Sequence, residues 1–95
     1  MSTIVGLAHL NVHVAQAMSL KDKRRIIKSF KARAANGYKV SIAEVDGLES
    51  LRRAVLAVVM VGKDKRHIES TLQKIINAAA THRDMVLVDH EVQWL

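Results

Sequence analysis

The side chains best suited to acid–base or metal chemistry cluster at two places. His9 and His13 stand near the start of the chain, and Asp89, His90 and Glu91 are consecutive near its end. With no cysteine present, thiolate catalysis and disulfides are excluded, and His, Asp and Glu remain as metal ligands. Spacing tests both groups. On an extended strand His9 and His13 lie about 13 Å apart, too far to chelate one ion. Strand alternation turns His90 away from both Asp89 and Glu91, so that run does not converge on a metal. What remains is a cross-strand pair of His9 with Asp89 or Glu91, an arrangement that ordinarily stabilises a sheet. No nucleophile–base pair assembles from spacing, and the chain reads as non-enzymatic, with no metal and no cofactor. Glu44 and Asp46 close another strand-like run. A partly buried Glu44 would need a cationic or hydrogen-bonding partner, whereas a charge at a strand end needs none.

The basic residues carry a different chemistry. The net charge is +6, from 15 Lys/Arg against nine Asp/Glu. Eight of those cations and only one of the acids fall between Leu20 and Lys39, so this segment holds the entire positive excess. Lys21, Lys23, Arg24 and Arg25 crowd a helix start, and Lys28 and Lys31 extend the patch along the helix. Cations oppose the dipole at a helix N-terminus, but beside unpaired N–H groups they make a phosphate receptor. These six residues are the candidate contacts to RNA or a ribosomal particle, bound through phosphates without base specificity. The competing reading is a solvated Lys/Arg-rich face.

The elements that position these groups follow from periodicity. Residues 3–14 alternate with a period of two, with Leu10, Val12 and Val14 on a wholly apolar face. Residues 19–36 change to helical period, with Ile26, Ile27, Phe30 and Ala34 on one side. Ser19 and Asp22 are a capping pair, and Gly37 is the expected left-handed stop. A strand over 38–46 precedes an Asp46-Gly47 turn, and 53–61 is apolar on both faces. Asp64 caps a helix over 65–80 with a stripe at Ile68, Leu72, Ile75, Ile76 and Ala79, and a last strand occupies 85–95.

The chain also repeats itself. A shift of 42 residues lays KDKRRIIKSF (21–30) on KDKRHIESTL (63–72), each between two strands. Two βαβ halves of this kind predict an α+β, ferredoxin-like split βαβ domain over 1–95, its antiparallel sheet in order 4-1-3-2 with both helices on one face. In that topology the two KDKR copies lie at opposite ends and cannot share a site. The second copy, with Lys63, Lys65 and Arg66, heads a nearly neutral helix and is read as a structural echo of the first.

Helices on one side leave the other sheet face open. Val5, Leu7, His9, Val55, Val59, Met85 and Leu87 are expected there, beside Asn11, His13, Asp89 and Glu91. The apolar content favours a homodimer through this face, or a protein-interaction or small-ligand module. Phe, Tyr and Trp occur once each, too few for stacking of single-stranded RNA on the sheet.

The runs SLKDKRRIIKSF and VSIAEVD, with the ending VDHEVQWL, resemble the YlxP-like family of small bacterial proteins of uncharacterised function. The resemblance covers essentially the whole chain. It implies a ferredoxin-like fold and, through the translation and ribosome-maturation genes that accompany family members, a connection to RNA. It supplies no catalytic residues. Where it leads one to expect an aromatic after the second strand, this chain has Leu51.

Composition bounds the rest. Forty-nine per cent hydrophobic and 25% charged residues are ordinary for a globular domain. The longest apolar run, at 54–62, is far short of the ~20 residues of a membrane helix. The N-terminus has no basic region before its first strand, so a cytoplasmic protein without a signal peptide is expected.

Overall fold

The computed structural model describes residues 1–95. Six elements follow in the order β1 (Ile4–His13), α1 (Leu20–Gly37), β2 (Ser41–Asp46), β3 (Arg53–Gly62), α2 (Lys65–Ala80) and β4 (Val86–Trp94). The sheet runs β2-β3-β1-β4 with every pairing antiparallel. This is the expected order counted from the other edge, and the architecture is α+β.

Alternation decides which face is covered. On β1, Ala8, Leu10 and Val12 are buried, and on β3 the same holds for Ala54, Leu56, Val58 and Met60. Against them pack Ile26, Ile27, Phe30 and Ala34 of α1 and Ile68, Leu72, Ile75, Ile76 and Ala79 of α2, within one core cluster of 19 buried residues. Gly6 lets α2 approach β1 closely. A Cβ there would lie 2.7 Å from Ile68 Cγ2 and 3.0 Å from both Leu72 and Trp94.

Helix starts match the sequence reading. The Asp22 N–H donates to Ser19 Oγ, and the Met18 N–H donates back to Asp22 Oδ2, a reciprocal cap. At α2, Asp64 Oδ1 accepts from the Arg66 and His67 N–H groups. The end of α1 differs from expectation. Gly37 is not left-handed; it completes the helix, and the following Tyr38 N–H donates to the Ala34 carbonyl. The one left-handed glycine is Gly47, φ +78°, in the turn after β2.

Two bulges break strict alternation, and they explain a second departure. Between Asn11↔Asp89 and Val12↔Leu87 the β1–β4 register shifts, so β4 carries one extra residue. Before the bulge Leu87 lies opposite core-facing Val12; beyond it Asp89 and Glu91 lie opposite open-face Asn11 and His9. Met85 and Leu87 therefore do not belong to the open face. Met85 is 4% exposed in the core, and Leu87 packs against it from the same side. A similar shift between Glu44 and Asp46 keeps Glu44 on the helix side and turns Asp46 outward, opposite Val55.

Candidate functional site

The N-terminal half of α1 presents its cations in two directions. Lys21, Arg24, Arg25 and Lys28 are exposed, and Lys31 is half-buried on one flank of the helix. Lys21, Arg24, Lys28 and Lys31 have no carboxylate within ion-pair distance, whereas Arg25 donates to Asp22 Oδ1 at 2.7 Å. That bond, joined by the Met18 N–H, holds the Asp22 carboxyl below its usual range. The surface of this turn is thus a set of free cations around one neutralised acid.

Lys23 is not part of it. Its side chain is fully buried, and its Nζ donates to Glu44 Oε2 at 2.9 Å and to the Gly47 carbonyl at 2.6 Å. The reason is helical phase: Lys23 precedes Ile26, Ile27, Phe30 and Ala34 by three, four, seven and eleven residues, so it stands in the middle of the apolar stripe. Glu44 is correspondingly the partly buried carboxylate with a cationic partner, not a bare charge at a strand end. The pair ties the first turn of α1 to the end of β2, joining the two segments, SLKDKR and VSIAEV, that carry the family resemblance.

The second KDKR lies at the far end of the molecule. α1 follows His13 and α2 follows Gly62, and in the β1–β3 ladder Gly62 sits opposite Ile4, nine residues from His13. Lys65 there places its ammonium 4.9 Å from the centroid of the Trp94 ring, a cation–π contact that packs the helix start onto β4.

On the open face, Val5, Leu7, Val55 and Val59 are half-buried, and Val61 is exposed. The ladders align Val5 with Val61 and Leu7 with Val59, while Ser41 and Gln93 flank the latter pair on β2 and β4. His9 faces Glu91, with Nδ1 3.8 Å from Oε1, beyond hydrogen-bond reach. No three His, Asp or Glu side chains converge to hold a metal ion. At the outer corner Arg53 donates to Asp46 Oδ2, and with the Gly47 N–H it holds the Asp46 carboxyl below its usual range.

A further feature has no counterpart in the sequence reading. The flank of α1 from Arg25 to Ala34 and the end of α2 border a cleft of about 700 Å³ whose lining includes Arg25, Arg33, His82 and Arg83. Arg33 lies in the same basic segment as the six candidates, but helical phase sets it on the flank toward α2. His82 and Arg83 come from the connection after α2, and only the tertiary fold brings them to Arg33.

No helix is long and apolar enough to cross a membrane. The uncharacterized protein YlxP of Bacillus subtilis (strain 168) is similar, 27% identical over 73 residues, which is 77% of this chain and 79% of that protein. In shape the chain is similar to part of the full extracellular region of zebrafish Gpr126/Adgrg6, with TM-score 0.49, 20% identity and 98% of this chain aligned to 14% of that one. The chain spans only that small share of the length of the zebrafish extracellular region. The family model described as "Protein of unknown function (DUF503)" matches residues 5–92, and the chain belongs to that family.

Proposed function

We propose that this chain is a ferredoxin-like, non-enzymatic accessory protein of the cytoplasm that contacts RNA, free or in a ribosomal particle, through the exposed face of α1. The observation that supports this is the group Lys21, Arg24 and Lys28: three exposed cations on adjacent turns with no acidic partner. Arg25 adds a guanidinium held in place by Asp22, and Lys31 lengthens the patch. Charge of this kind engages phosphates and releases counterions, which makes affinity high at low salt and indifferent to base identity. Lys23, spent on Glu44, contributes nothing to it. The test is co-sedimentation with ribosomal particles and binding to a labelled RNA across a salt series. Lys21, Arg24 and Lys28 all changed to Glu should abolish both, with the fold intact by circular dichroism. Unchanged binding by that variant refutes the proposal.

The open face supports a second reading, as the contact between two copies of the chain. Leu7 and Val59 form an apolar centre with Ser41 and Gln93 at the margins, the distribution found across protein interfaces. Val59→Lys should convert a dimer to a monomer in light scattering without affecting RNA binding. A wild-type protein that is monomeric at all concentrations rules this reading out.

A further inference from the structure

We propose that the cleft between the Arg25–Ala34 flank of α1 and the end of α2 binds a small aromatic phosphate of mononucleotide size. At about 700 Å³ it falls within the range of ligand pockets. Half-buried Tyr38 and exposed Ala78 supply its accessible apolar surface, over the buried core residues Ile26, Phe30, Ala34 and Ile75. Its charged groups are one-sided. Arg25, Arg33 and Arg83 line it with a single carboxylate, Asp84, which lies 3.6 Å from Arg83 Nε, while Arg25 is already paired outside the cleft with Asp22. Arg33 has no acidic partner at all.

His82 adds a fixed donor. Its Nδ1 accepts the Asp84 N–H at 3.0 Å, so the neutral ring carries its hydrogen on Nε2, which has no partner within the protein. The ring is also set edge-on to Phe30, with centroids 6.1 Å apart at 72°. An apolar floor with donors and almost no free acceptor selects a ligand that is flat on one part and anionic on another. Guanidinium forks match phosphate oxygens two at a time. A free phosphate would leave the apolar floor uncovered, and a neutral ring would leave Arg33 unmatched.

The site stands apart from the RNA-contact face of α1, with Arg25 as the one residue common to both. The inference does not depend on that reading. The test is titration of the intact protein with AMP, GMP, CMP and UMP, and separately with inorganic phosphate, followed by calorimetry and by amide chemical shifts. Saturable one-site binding of at least one mononucleotide is expected, with shifts centred on Ala78, Thr81 and Arg83 and inorganic phosphate at least about tenfold weaker. Arg33→Glu and Arg83→Glu should each weaken binding by about tenfold or more, as loss of a charge-assisted hydrogen bond does. Ala78→Trp, at an exposed helix position on the cleft wall, should block it by volume. The variant with Lys21, Arg24 and Lys28 all reversed should retain it, which separates this site from the RNA face. Absence of binding by every mononucleotide overturns the proposal. So does equal binding of inorganic phosphate, or shifts confined to Lys21, Arg24 and Lys28.

Discussion

Lys23 Nζ lies 2.9 Å from Glu44 Oε2, and the lysine side chain is wholly shielded from solvent while the glutamate keeps 12% of its exposure. A Coulomb pair this dry is attractive, but both charges have lost their hydration, so the pair contributes little net stability relative to a hydrophobic filling. Its value is positional. The ammonium also caps the Gly47 carbonyl in the turn after β2 and so fixes α1 against the edge strand.

The first prediction follows from that asymmetry. Lys23→Ala or Glu44→Ala leaves one buried charge without its partner and should cost about 3–5 kcal/mol, a large share of the roughly 5–15 kcal/mol of a small domain. Lys23→Met together with Glu44→Met should recover most of that loss. Urea denaturation of the four proteins measures it. A double variant no more stable than either single would show that the pair is worth more than its desolvation.

Acid should act on the exposed carboxylates. Asp22 and Asp46 both have pKa values lowered in the folded state by hydrogen bonds, from Arg25 and Arg53 first and from backbone N–H groups second. A lowered folded value means that the unfolded chain takes up protons first as pH falls. Their contribution is therefore complete at pH above the ordinary value of 3.8 and is lost as pH drops through the folded values. Asp22→Asn should be less stable than wild type at neutral pH and converge with it below that window, a dependence that denaturation midpoints at a series of pH values will reveal. Both groups are at the surface, so added salt should shrink the difference.

Most of the fold was legible because its signals are periodic and redundant. The strand alternation of 3–14, the helical stripe at Ile26, Ile27, Phe30 and Ala34, and the 42-residue repeat all point to one topology. Lys23 departs from the expected surface patch because phase outweighs charge: three and seven residues before Ile26 and Phe30, it falls in the apolar stripe. Met85 and Leu87 depart from the expected open face for a different reason. A bulge is one residue of backbone geometry, and nothing in VLVDHEVQW marks where alternation resets. The cleft was invisible because Arg33 and Arg83 are fifty residues apart and meet only across two packed helices.

Glycines offer a direct check on packing. Gly6→Ala drives a methyl group to 2.7 Å from Ile68 Cγ2 and 3.0 Å from Trp94, so an overpacking cost of about 1–3 kcal/mol is expected. Gly37→Ala should do the opposite. Gly37 is in the last turn of α1, is not left-handed, and a Cβ there meets nothing within 4 Å. Replacing it relieves unfolded-state entropy and should stabilise by about 0.4–1 kcal/mol. Thermal melts of the two variants should move in opposite directions. A destabilised Gly37→Ala would mean that the helix end is left-handed in solution.

The basic face makes a quantitative demand that a general increase in stickiness does not. If Lys21, Arg24 and Lys28 each engage one phosphate of single-stranded RNA, neutralising any one of them should flatten the slope of log affinity against log salt by about 0.7. Lys21→Gln, Arg24→Gln and Lys28→Gln should therefore give parallel losses that add when combined, at any RNA sequence. The Lys23→Met, Glu44→Met double variant should keep the wild-type slope, because the charge it removes never reaches solvent. Fluorescence anisotropy with one labelled RNA over a salt series resolves slopes of this size. A slope that falls equally in the double variant would overturn this assignment, since only a rearranged α1 could bring Lys23 to a phosphate.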